Sequence, residues 1–147
     1  MQVPHNAFVV VADGRKLLFL RNEGDASFPN LQVEKKLVDV NPTTSDQGSD
    51  SPGRSFSSVG DGRSAYEQTD FHQLEEDRFA ADAAELLNQR ALRGEFESLI
   101  VVAPPRTLGE LRKHYHKAVS ERLAGELDKD LTGHTVPQIE EALAKAE

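Results

Sequence analysis

The chain of 147 residues contains no cysteine. Disulfides and thiolate metal sites are excluded, and the composition fits a reducing compartment. Long apolar runs are missing too. The run near the N-terminus covers only residues 7–12, against the roughly 20 residues a membrane span needs, and no basic stretch precedes it as in a signal peptide. A cytoplasmic protein with no membrane contact is expected. A basic surplus is also absent: the net charge is −8. Dedicated nucleic-acid binders draw much of their affinity from phosphate neutralisation, and this chain cannot do so over its whole surface. The charge is uneven, however. Residues 70–97 hold eight acids against three bases, whereas residues 106–122 hold five Lys/Arg against two Glu, with His114 and His116. One face could be locally basic; the plain alternative is a set of solvated helix faces.

A second shortage is local. Residues 41–66 contain four Gly, two Pro and seven Ser, and their large apolar side chains are Phe56, Val59 and Tyr66. Such a segment buries too little apolar surface to offset its ordering entropy, so a flexible loop is expected here, with residues 43–62 mobile. A loop of this length inside a compact domain is more often functional than a mere connector. It repeats one word, Gly53-Arg54-Ser55 and Gly62-Arg63-Ser64.

The flanking halves are well patterned. Residues 7–12 form a continuous apolar, β-branched run, as in a strand buried on both faces. Asp13-Gly14 signals a hairpin, with glycine suited to positive φ. A second strand is expected over residues 16–21. A third is expected over residues 31–40, with Leu31, Val33, Lys35 and Leu37 on one face. After the loop, Asp70 reads as the cap of a helix to about Gln89, with Phe79, Ala83, Leu86 and Leu87 as its apolar stripe and Gly94 as its stop. Residues 98–103 read as a buried parallel strand ended by Pro104-Pro105. Thr107 with Glu110 reads as a capping box opening the next helix, with Leu108, Leu111 and Tyr115 inward. A turn near Ala124-Gly125, a short edge strand over residues 126–131 and a C-terminal helix after His134 or Thr135 complete the chain.

The order is therefore βββ–loop–α–β–α–β–α. Right-handed crossovers put the fourth strand beside the first, giving one α/β domain over residues 1–147. It has a five-stranded mixed sheet in the order 3-2-1-4-5, a ribonuclease-H-like arrangement, with 8–11 and 99–102 central.

A two-metal nuclease on this fold needs several carboxylates at one end of the central strands. Asp13 is better explained by turn chemistry, and the fourth strand ends in Ala103-Pro104-Pro105 with no acid. His114 and His116, two apart on one helix, face different ways and cannot chelate as an i, i+4 pair would. Neither a metal nor a cofactor is expected, and no G-x-S-x-G elbow supports a serine nucleophile. The candidate binding residues are Arg54 and Arg63 with Gly60 and Gly62, where backbone N–H groups and a guanidinium could meet a phosphate together. The plain alternative is a solvated linker. Arg106, following two prolines at a helix start, is a second candidate anion contact.

Several words in this chain resemble the bacterial host-attachment protein family (protein required for attachment to host cells). They are Val11-Ala12-Asp13-Gly14-Arg15, Pro52-Gly53-Arg54, Gly62-Arg63-Ser64-Ala65, residues 74–80, residues 101–112 and residues 127–132. That family in turn resembles the middle domain of archaeal and eukaryotic peptide-chain release factors, which has the same element order and a long loop at the place of residues 41–66. In release factors that loop carries Gly-Gly-Gln and promotes hydrolysis of peptidyl-tRNA. Here no Gly-Gly-Gln occurs: Gln47 precedes Gly48, and the Gly-rich turn is Gly60-Asp61-Gly62-Arg63. The resemblance thus implies a non-catalytic binding module. Its partner would be linked to the ribosome or tRNA, and any effect on host attachment would be indirect. A translation-linked peptidyl-tRNA ester hydrolase lacking Gly-Gly-Gln is the alternative. A surface adhesin conflicts with the absence of an export signal.

Overall fold

The computed structural model describes residues 1–38 and 65–146. Phe8–Ala12 (β1), Lys16–Asn22 (β2) and Leu31–Val38 (β3) precede the helix Ala65–Leu92 (α1). Leu99–Val102 (β4), Pro105–His114 (α2), Lys117–Arg122 (α3), Leu123–Leu127 (β5) and Val136–Lys145 (α4) follow. The sheet order is β3-β2-β1-β4-β5, the expected 3-2-1-4-5. β1 pairs antiparallel with β2 and parallel with β4, with Phe8 opposite Leu99, so the two apolar runs are central neighbours. Every residue of both strands is buried, because helices or their equivalents cover both faces.

One face carries α1, α2 and α3. There Phe8, Val10, Phe19, Leu99 and Val101 meet Ala80, Ala83, Ala84, Leu87 and Ala91 of α1. The stripe of α1 is thus built mostly of alanines, which let the helix lie close, and Phe79 and Leu86 flank it half-buried. On the other face Val9, Val11, Ile100 and Val102 meet Ile139 and Leu143 of α4. α1 starts earlier than expected. Asp70 lies inside it rather than capping it, and Ala65 and Tyr66 belong to it rather than to the loop. Its 28 residues span about 42 Å, against about 17 Å for a five-residue strand. The end of α1 is as read: Gly94 has φ 73° and its N–H donates to Ala91 O.

Other expectations are corrected. β3 does not keep one apolar face. The register slips between Phe19 and Leu20, which pair with Lys35 and Val33, so Glu34 is an extra residue. Leu31 therefore packs in the α4-side core and Leu37 against the α1-side core. Thr107 is not a cap. Pro104 is the N-cap and Pro105 the first helical residue, because proline is favoured at a first turn. Ala124 and Gly125 form no turn; they lie within β5, which starts directly after α3 and pairs parallel with β4. Residues 128–131 are irregular, and Leu131 plugs the α4-side core. α4 opens on Thr135, in a full capping box with Gln138.

Candidate functional site

β1, β4 and β5 are parallel and end on one side of the sheet, where three connections meet. The first is the turn 13–15. Asp13 Oδ1 accepts from the N–H groups of Arg15 (2.7 Å) and Lys16 (2.6 Å). Asp13 Oδ2 is 2.8 Å from the hydroxyl of Thr132, whose single proton is shared with Asp130 Oδ1 at 2.9 Å. Asp13 is therefore a turn residue that also ties the first strand to the connection after β5. Gly14 does not serve for the reason expected: its φ is not positive, and a Cβ there would meet only the end of the Glu76 side chain, at 2.7 Å, which would have to swing aside.

These connections enclose a cleft of about 300 Å³. Arg15 and Arg106 stand on it, both exposed. Glu76 and Asp77 of α1, Glu110 of α2 and Asp130 also line it. The strand-end reading found no acid near the end of β4; tertiary structure brings these four in from elsewhere. Among the described residues no group of acids and histidines is arranged to hold a metal ion. At the start of α2, Pro104 supplies no capping oxygen and the first turn has no acid. The positive end of that helix therefore has no compensating group of its own, beside Arg106.

The basic stretch 106–122 is largely neutralised. Arg112 Nε lies 3.1 and 3.2 Å from the two carboxylate oxygens of Glu126. Lys113 Nζ donates to Glu110 at 2.7 Å, and this bond holds the Glu110 carboxyl below its ordinary pKa. Lys117 stands 3.9 Å from Glu121. Arg122 turns inward onto the carbonyls of Phe96 and Ala118. Arg106 alone of the five has no acid or carbonyl partner among the described residues. The expectation that His114 and His116 share a helix is corrected. His114 ends α2, and His116 caps α3 by accepting from Ala118 N–H. Asn88, buried on α1, holds the break open: it donates to His114 O at 3.0 Å and accepts from His116 N–H at 2.7 Å.

Of the expected binding residues, Arg106 is described; Arg54, Gly60, Gly62 and Arg63 lie outside the described residues. β3, the described element before them, ends on the same side of the sheet. β3 runs toward the end of β1, and Val38 pairs with Lys16. α1, which follows, lines the cleft with Gln73, Glu76, Asp77 and Ala80.

Reading residues one element at a time missed Arg15 and Lys16, although Asp-Gly followed by two cations was visible. It also missed Glu76 and Asp77, for which no local signal existed.

The sequence matches the family model described as bacterial archaeo-eukaryotic release factor family 12 over residues 6–143. No curated protein matches the chain. Among solved structures, that of an archaeal translation termination factor, aRF1, is similar at 13% identity with a TM-score of 0.47. The alignment covers 95% of this chain and 41% of that factor, so the chain spans about two fifths of the factor's length. The resemblance to release factors rests on the family match, which takes in the whole sheet and nearly all of α4: the chain belongs to bacterial archaeo-eukaryotic release factor family 12.

Proposed function

We propose that this chain is a non-catalytic, cytoplasmic binding module of 147 residues that acts on a ribosome- or tRNA-linked partner, with any effect on host attachment indirect. The observation that carries this reading is the convergence at one sheet end. The connection bearing Arg54 and Arg63 departs from Val38 beside Lys16, and Arg106 stands on the cleft lined by the helix that follows it. Arg54, Gly60, Gly62, Arg63 and Arg106 are its binding residues. Guanidinium groups and glycine N–H groups are suited to phosphate oxygens. The lack of Gly-Gly-Gln in the chain favours binding over ester hydrolysis. No helix among the described residues is long and apolar enough to cross a membrane.

Co-sedimentation with purified ribosomes at low salt tests the reading. The double change Arg54→Ala and Arg63→Ala is expected to weaken association by roughly tenfold, equivalent to about 1.4 kcal/mol, and Arg106→Ala by less. A wild-type chain that does not pellet with ribosomes and does not bind tRNA would end it.

A further inference from the structure

Two sets of described cations contrast; Lys35, Lys36 and Arg78, exposed and also without an acidic partner among the described residues, belong to neither. Arg21, Arg90, Arg93, Arg112, Lys113 and Lys145 each hold a carboxylate within 3.6 Å. Arg15, Lys16, Arg106 and Lys129 have no acidic partner among the described residues, and all four are exposed. These four belong to different elements: the β1–β2 turn, the start of β2, the start of α2 and the connection after β5. Yet they border three adjoining hollows at the same sheet end. Arg15 and Arg106 share the cleft. Lys16 borders a neighbouring hollow with Thr132, Gly133 and His134. Lys129 borders a third, toward α4, again with His134. Asp130 lines all three, so they are contiguous around it.

We infer that these four cations form a phosphate-gripping track, running from Arg106 over the β1–β2 turn to Lys129, and that it holds an RNA backbone. The inference rests on the proposed RNA-linked partner, and it assigns contacts that neither the loop nor Arg106 implies. The turn is built to aim its two cations. Asp13 takes the N–H groups of both Arg15 and Lys16 onto one oxygen, fixing where each side chain leaves the backbone. The second Asp13 oxygen and Asp130 Oδ1 are held by Thr132, so those two acids are engaged with donors of the protein itself. Of the remaining acids, Glu141, paired with Lys145, borders the third hollow, and Glu76, Asp77 and Glu110 lie in the cleft. Their charge disfavours a phosphate inside it, and the phosphates therefore ride on the rim. Spaced single cations, rather than a continuous basic patch, suit a polyanion whose charges repeat along a backbone. They also fit a net charge of −8: affinity is modest and steeply dependent on salt.

The test is the salt dependence of binding to purified deacylated tRNA, followed by fluorescence anisotropy. Each phosphate contact contributes about 0.7–0.9 to the slope of log K against log[salt]. The variant Arg15→Ala/Lys16→Ala keeps both backbone N–H groups that cap Asp13. It is expected to lower the slope by about 1.5 and to leave thermal melting unchanged. Arg93→Ala removes a cation from the opposite sheet end and is expected to leave the slope at the wild-type value. Equal slopes for Arg15→Ala/Lys16→Ala and wild type would overturn the track while leaving the RNA-linked reading in place. An equal loss in Arg93→Ala would overturn it also, by showing a bulk charge effect. Salt-independent binding of tRNA would show that its phosphates are not the contacts and overturn it. No binding of wild type to tRNA or ribosomes would remove the functional reading itself.

Discussion

The two ends of the sheet are built on opposite plans. At the end where β1 begins, charge is spent on structure. Phe8 stacks on Phe96 with centroids 5.3 Å apart and leans on Phe19 at the same distance. The guanidinium of Arg90 lies 5.0 and 4.8 Å from the Phe8 and Phe19 rings, and that of Arg21 lies 5.2 Å from Phe8. Glu34, brought inward by the bulge in β3, receives Arg21 at 2.6 Å and Arg90 at 3.2 Å. Arg21 also donates to Glu95 O at 3.0 Å. Beside this, Asn22 is fully buried. It donates to Val3 O at 2.8 Å and Pro4 O at 3.2 Å, and accepts from Gly24 and Asn30 N–H groups at 2.9 and 2.8 Å. At the end where β1 stops, by contrast, Arg15 and Arg106 are exposed, and no acid among the described residues holds them. The lesson is that a cation's sequence neighbourhood does not tell its role. Arg15 and Arg21 lie six positions apart; one faces solvent and the other ties β2 to Glu34 of β3 and to the carbonyl of Glu95 after α1.

The contrast predicts large stability effects at one end and nearly none at the other. Phe8→Ala should be the most severe, costing about 3–5 kcal/mol, because it removes the shared partner of two rings and two guanidiniums; chemical denaturation measures it. Asn22→Ala should cost about 2–3 kcal/mol, since it leaves buried carbonyl and N–H groups without partners. If either variant melted like wild type, the structural role of this end would be lost.

A smaller effect should appear with pH. Burial pushes the Glu34 carboxyl up, but the hydrogen bonds from Arg21 and Arg90 and their charges outweigh it, so its pKa lies below the ordinary 4.5. A lowered carboxylate contributes stability that is complete above the unfolded value and is lost as pH falls through the folded one. Glu34→Gln should therefore destabilise at pH 7 and converge on wild type at pH values well below 4.5. A constant gap between the two curves across that range would show that ionisation of Glu34 does not contribute. At the alkaline side, burial raises the Tyr115 phenol, so the neutral form is the folded one and stability should decline as pH rises past 10.

Much of this fold was legible because its strongest signals are local. Residues 7–12 and 98–103 could be little else than buried strands, and their pairing followed from the right-handed crossover. What was misread depends on partners elsewhere in the chain. Ala124-Gly125 looks like a turn, yet pairing with β4 makes it strand; at Gly125 a Cβ would press on the Met1 side chain at 3.1 Å. Thr107 with Glu110 satisfies the capping-box spacing, but the two prolines start the helix before it. The bulge at Glu34 has no sequence mark, and the Arg90 that Glu34 meets lies 56 positions away. For the candidate site, Arg106 was visible from its place after Pro104-Pro105. The acids around it, and the Asp13–Thr132–Asp130 tie, join positions as much as 119 residues apart, and only the assembled sheet end brings them together.

The most direct measurement pairs the two ends in one experiment: thermal melting and ribosome association of Glu34→Gln and of Arg54→Ala/Arg63→Ala/Arg106→Ala, side by side at low salt. The first variant should melt earlier and still associate. The second should melt like wild type, as expected for exposed cations, and associate at least tenfold more weakly. An arginine variant that associates as wild type does, or one that loses association only together with stability, would contradict the division of labour between the two ends.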